Sequence, residues 1–249
     1  MGSEPKVQIV VEEGTKVSNP RIVIGIPEAG LVGVIAGSYM IQQLKLQEIG
    51  HVESELLPEV VVVHNSEPKS PIRIFGSGNL ILLVSEIPLD PGFSYELAET
   101  LEGWAMSKNA ELVVGVTGLP SKNRMNFDQN QKPILFGVSN DKKLRESLPS
   151  FGVEPFQEGV VTGIHATLLK KGALMNVPNL TLLVESYLEF PDPAAAATSV
   201  EALGRLLSIQ IDTKSLVEES EGIRLKLRGL MKNTQESIAK TAEAPSVYA

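Results

Sequence analysis

The fold is decided by Arg21-Ile22-Val23-Ile24-Gly25-Ile26-Pro27-Glu28-Ala29-Gly30-Leu31-Val32-Gly33. Its first six residues are almost wholly apolar, as expected of a strand buried on both faces. Gly25, Pro27, Gly30 and Gly33 then break the run into a tight turn. From Val34 to Leu44 the sequence reads as a helix, with Val34, Ile35, Tyr39, Met40, Ile41 and Leu44 available for packing. Strand, glycine-rich turn and helix make the unit from which parallel α/β sheets are built.

The glycine spacing also raises a ligand reading. Glycines 25, 30 and 33 loosely resemble a nucleotide-binding turn, but the G-x-G-x-x-G order is absent. The phosphate-loop pattern fails too: Gly115-Val116-Thr117-Gly118-Leu119-Pro120-Ser121-Lys122 holds Ser and Lys in the wrong order. The glycines are expected to let the turn and helix approach the sheet closely. An anion site at the helix after Gly30 is the alternative, and Glu28 would repel phosphate there.

Outward from this unit the alternation continues. Strands are expected at 7–11, 46–52, 60–64, 111–117, 134–138 and 181–186. Residues 65–71 read as a loop, and 72–75 with 80–85 as a hairpin around Gly76-Ser77-Gly78-Asn79. Helices are expected at 93–109, 141–148 and 163–172, the last closed by Gly172. Asp192-Pro193 starts another, running to Ile209, with Asp as N-cap and Pro in the first position. The polar stretch 121–132 reads as a long loop at a strand's C-terminal end. The expected fold is α/β: a mixed, mostly parallel sheet covered on both faces by helices.

Residues 216–240 differ in kind. Leu216, Ile223, Leu227, Leu230 and Met231 form one helical stripe, with charge around it and interruptions at Gly222 and Gly229. Such a helix could pack on its own domain or on a neighbouring subunit, and covering its own core is the favoured expectation. Thr241 to Ser246 offer no apolar face and read as a flexible linker. Val247-Tyr248-Ala249 follow: a hydrophobic residue, an aromatic anchor and a final residue, a plausible docking peptide for a partner's pocket. The expected division is a core domain 1–215, a helix 216–240 and a tail 241–249.

Composition narrows the function classes. The 249-residue chain has 43% hydrophobic residues and a net charge of -8, enough for a large core and unsuited to a broad grip on nucleic acid. It has no cysteine, which removes disulfides, thiol nucleophiles and thiolate metal sites. No apolar run suits a membrane span, and the N-terminal residues lack a signal-peptide apolar region. A cytoplasmic protein is expected. His51, His64 and His165 are scattered without a metal-binding spacing. A triad from Ser85 or Ser186, His165 and Asp192 lacks the G-x-S-x-G elbow. Glu86 and Glu185 follow strands, where α/β enzymes place functional groups, or they are interface charges. No catalytic set, metal or cofactor is expected.

Three segments resemble the proteasome assembly chaperone family, in particular its archaeal members. The first is the turn Gly25 to Gly33. The second is Gly159-Val160-Val161-Thr162-Gly163 with Leu168-Leu169. The third is Pro191-Asp192-Pro193-Ala194-Ala195-Ala196, followed by Leu203, Leu206, Leu207, Ile211-Asp212 and Leu216. The resemblance implies a phosphorylase-like three-layer α/β/α sandwich without an established active site. It implies binding to 20S proteasome α subunits through a C-terminal hydrophobic-Tyr-any tripeptide, which Val247, Tyr248 and Ala249 match. Tyr248 would wedge between neighbouring α subunits, and a homo-oligomer would multiply weak tails through avidity. The competing expectations are a small-molecule enzyme of phosphorylase or hydrolase type, using a cleft near Gly30, Glu86 and loop 121–132, and a peptide-binding scaffold with no proteasome link.

Overall fold

The computed structural model describes residues 6–121, 132–218 and 220–243. Among these, nine strands form one mixed sheet in the order β1-β3-β6-β7-β2-β8-β11-β9-β10. Its centre is parallel: β2 (Arg21–Gly25) lies between β7 (Leu80–Ser85) and β8 (Leu112–Pro120), and β8 pairs in parallel with β11 (Asn179–Ser186). One wing is antiparallel, running through β6 (Ile72–Ser77), β3 (Gln47–Ser54) and β1 (Val7–Val11). On the other side β9 (Leu135–Ser139) runs antiparallel to β11, and the short β10 (Glu154–Pro155) extends β9 in parallel.

The apolar run 21–26 is buried on both faces because the sheet separates two cores. Val23, Leu82, Val114 and Leu182 point to one side, where they meet α1 (Val32–Gln43) and α5 (Pro193–Leu207). Ile22, Ile24, Leu83 and Val113 point to the other, against α2 (Pro91–Ser107) and α4 (Gly163–Met175). The alternation within one strand is the period of two that pleating imposes. Each fully buried aliphatic side chain contributes about 1.5–3 kcal/mol by leaving water. The result is helix, sheet, helix: the expected three layers.

Several local readings are corrected. Residues 65–71 are not all loop: β4 (Val62–His64) and β5 (Glu67–Lys69) form a separate two-stranded sheet. Asn65 and Ser66 both adopt positive φ, 50° and 66°, which gives the two-residue turn favoured between antiparallel strands. Gly172 does not close α4. The helix runs on to Met175 and ends at Asn176, left-handed at φ 56°, while Gly172 stays inside because a Cβ there would meet the Asn179 amide at 2.1 Å. α2 starts at Pro91 after Asp90, two residues before the expected Phe93. α3 (Lys142–Ser147) is capped by Asp141, whose side chain accepts from Leu144 N.

The C-terminal helix is not interrupted at its two glycines. α7 (Ser220–Glu243), which follows α6 (Lys214–Glu218), runs through Gly222 and Gly229, both facing open space. α7 packs on its own chain. Met231 is buried, and Ile223, Leu227 and Leu230 rest against the α1/α5 core. The Tyr39 hydroxyl lies 2.6 Å from the Asp212 carbonyl and 2.7 Å from Ser215 Oγ, fixing the chain's entry into α6.

Candidate functional site

The glycine-rich turn is wedged among the C-terminal ends of the central strands. A Cβ on Gly25 would lie 2.3 Å from the Gly33 carbonyl oxygen, and one on Gly33 would lie 2.4 Å from that of Val116. Gly118 backs onto the Ala29 carbonyl and Ser186 Oγ, each 2.3 Å from its notional Cβ. Gly30 takes φ 65°, in the left-handed region, and its carbonyl accepts from Asp192 N at 2.8 Å. Ala29 to Gly33 are all buried. These glycines place backbone against backbone, and the Leu31 amide donates to the Glu28 carbonyl at 2.9 Å.

Glu28 leaves this turn towards the opposite layer. Its Oε2 stands 2.9 Å from Nε2 of His165, in the first turn of α4, and Thr117 hydrogen-bonds its carboxylate. His165 is buried, and the Nδ1 edge of its ring faces Gly115, where a Cβ would come within 2.2 Å of Nδ1. Burial pushes the Glu28 carboxyl up, but attraction to the His165 ring beside it and hydrogen bonding from Thr117 outweigh it and hold the group below its ordinary value. The carboxylate also lies beside Gly163, at the N-terminal and therefore positive end of α4. This arrangement joins two glycine segments far apart in sequence.

The imagined triad is not assembled. The partner of His165 is Glu28. Asp192 caps α5, accepting from Ala195 N at 3.1 Å and from Tyr187 N at 3.3 Å. Ser85 Oγ donates to the Ile87 carbonyl, and Ser186 Oγ is buried against Gly30 and Gly118. Glu86 sits in an ionic cluster with His64 and Arg73, and Arg73 also reaches Glu48 at 3.2 Å. Glu185 accepts from Ser121 Oγ at 3.0 Å. Both carboxylates are thus engaged with neighbouring side chains. Of the loop 121–132, residues 122–131 lie outside the described residues. Among the described residues no group of three or more His, Asp or Glu could hold a metal, and no helix is long and apolar enough to cross a membrane.

Sequence reading missed one surface. A groove of about 800 Å³ runs between α7 and the 187–191 segment. Hydrogen bonds join its walls: Gln235 Nε2 donates to the Glu189 carbonyl at 2.9 Å, and Arg224 Nε to that of Pro191 at 3.3 Å. Phe190 and Leu225 are exposed along it, beside Arg228 and Lys232. The four-residue spacing of Arg224, Arg228 and Lys232 was the available signal, since such residues share one helical face. Val247, Tyr248 and Ala249 lie outside the described residues.

A nine-stranded mixed sheet between two helix layers puts the protein in the three-layer α/β sandwich class. The PAC2 family model matches residues 22–231, and the chain belongs to that family. It is 28% identical over 230 residues to the Methanocaldococcus jannaschii protein MJ0106, covering 92% of this chain and 93% of that one. The crystal structure of Pyrococcus furiosus PbaA, described as an archaeal homolog of proteasome-assembly chaperone, is similar with a TM-score of 0.85. Its identity is 28%, over 93% of this chain and 99% of PbaA. Pyrococcus furiosus PbaB, described as an archaeal proteasome activator, shares the fold with a TM-score of 0.74 at 22% identity, over 91% of this chain and 99% of its own.

Proposed function

We propose that this protein is a non-enzymatic, cytoplasmic proteasome assembly chaperone or activator. A homo-oligomer of the folded body presents C-terminal tails to the α ring of the 20S proteasome. Val247 fills an apolar spot, Tyr248 wedges between neighbouring α subunits, and Ala249 contributes chiefly its carboxylate. The observation that carries this reading is the likeness to PbaA, which extends over 93% of the chain and 28% of its residues. The engaged partners of Glu28, His165, Glu86 and Asp192 favour a structural use of these groups over catalysis.

Docking by tails explains the division of labour. A short peptide with one aromatic anchor binds weakly alone, and several held on one body bind together at high effective concentration. The body then needs stability and self-assembly rather than a reactive cleft. The test compares the full chain with one lacking residues 247–249, using purified 20S proteasome in a pull-down and circular dichroism as the fold control. Binding by the full chain, lost on truncation with the spectrum unchanged, is the expected result. Equal binding by the truncated chain overturns the tail mechanism.

A further inference from the structure

We propose that the basic groove along α7 receives the acidic, apolar segment 55–63 of a second copy of this chain. The inference rests on the self-assembly put forward above and names the surfaces that meet.

The groove is a positive feature on an acidic protein. Arg228 and Lys232 stand one helical turn apart at its exposed edge, and neither has a carboxylate partner among the described residues. Between them and the 187–191 segment, Phe190 is 61% exposed and Leu225 65%. Apolar groups this exposed and this close to unpaired cations suit a partner that brings both apolar side chains and carboxylates.

The same chain displays such a surface. Leu56 and Val61 in the connection from β3, and Val63 in β4, stand at 44%, 62% and 63% exposure. Val61 and Val63 are two apart and share a face of the extended chain. Glu55 and Glu59 precede them, both exposed and without a cationic partner among the described residues. The turn end of the hairpin is anchored to the main sheet, because His64 meets Glu86 just after β7, beside Arg73 of β6. Its apolar side chains are therefore offered in a fixed arrangement, which lowers the entropy lost on docking.

One molecule does not close hairpin on groove, since all of these side chains are exposed within it. The hairpin leaves the sheet between β3 and β6. The groove follows β11, four strand positions from β6, about 19 Å at ordinary strand spacing. Each protomer carries both halves of the contact, so the contact repeats at every protomer. Like-charged surfaces repel, which excludes groove on groove and hairpin on hairpin.

Charge exchange tests this directly. E55K/E59K makes both surfaces basic; R228E/K232E makes both acidic. Sedimentation velocity of the full chain should show wild type associating, each variant associating at least about tenfold more weakly, and an equimolar mixture of the two recovering association. Recovery on mixing also shows that both variants are folded. A monomeric wild type overturns this inference together with the proposed self-assembly. An assembly that the variants leave intact, or that mixing does not restore, overturns this inference alone. If R228E/K232E loses 20S binding while its self-association is unchanged, the groove belongs to the proteasome and the inference is likewise overturned.

Discussion

His165 Nε2 lies 2.9 Å from Glu28 Oε2, and this contact ties the turn after β2 to the first turn of α4 across the sheet. Strand β8 supplies the bed for it: Thr117 bonds the carboxylate, and Gly115 leaves room for the imidazole. Two glycine-bearing segments about 135 residues apart are thereby fixed to each other at the strand ends.

His165→Ala leaves a mostly buried carboxylate without its partner and should cost about 2–3 kcal/mol at neutral pH. The sign with pH follows from the lowered carboxyl. The stabilisation from Glu28 is present above its ordinary value of 4.5 and is lost as pH falls through the lower folded value. The gap between wild type and variant in urea denaturation should therefore narrow below about pH 4. A gap that does not change with pH would contradict the pairing.

Glu102 predicts the opposite dependence. Buried in α2 between the helix layer and β11, it is pushed up to about 7 by desolvation, against a weaker pull from the Asn179 amide at 3.2 Å. A raised carboxyl stabilises the fold fully below 4.5, and that contribution is lost as pH rises to about 7. The span amounts to about 3 kcal/mol. Glu102→Gln keeps an acceptor for Asn179 and cannot ionise. It should gain on wild type by up to that amount between about pH 5 and pH 8 in thermal or chemical denaturation.

Gly33→Ala should destabilise by more than about 2 kcal/mol, because its Cβ would fall 2.4 Å from a backbone oxygen of β8 that cannot swing aside. Gly103→Ala is the control. It sits in α2 with nothing within 4 Å of the new methyl, and should stabilise by about 0.5–1 kcal/mol through helix propensity. Paired urea titrations check both signs.

How much of this was written in the sequence depends on the range of the interaction. The buried strand 21–26, the Asp192-Pro193 start of α5 and the two-faced sheet all rest on local periodicity and capping, and they were legible. Gly172 was misread because its reason lies in β11, where Asn179 leaves no room for a Cβ. Gly222 and Gly229 were misread as breaks because propensity alone says nothing about the core that holds α7 helical. The Glu28–His165 contact was invisible for the same reason: 137 positions separate residues that only the sheet brings together. The sequence offers His165 as a triad member beside Ser85 or Ser186 and Asp192, whereas in the fold it contacts Glu28.

The central claim is that the folded body exists to present Val247-Tyr248-Ala249 to the proteasome. The affinity of full-length wild type and Tyr248→Ala for purified 20S proteasome, measured by surface plasmon resonance with assembly state verified, tests it most directly. A loss of more than about tenfold is expected, larger than the apolar area of one ring warrants, because every tail of the assembly is altered at once. Equal affinities for the two proteins would contradict it.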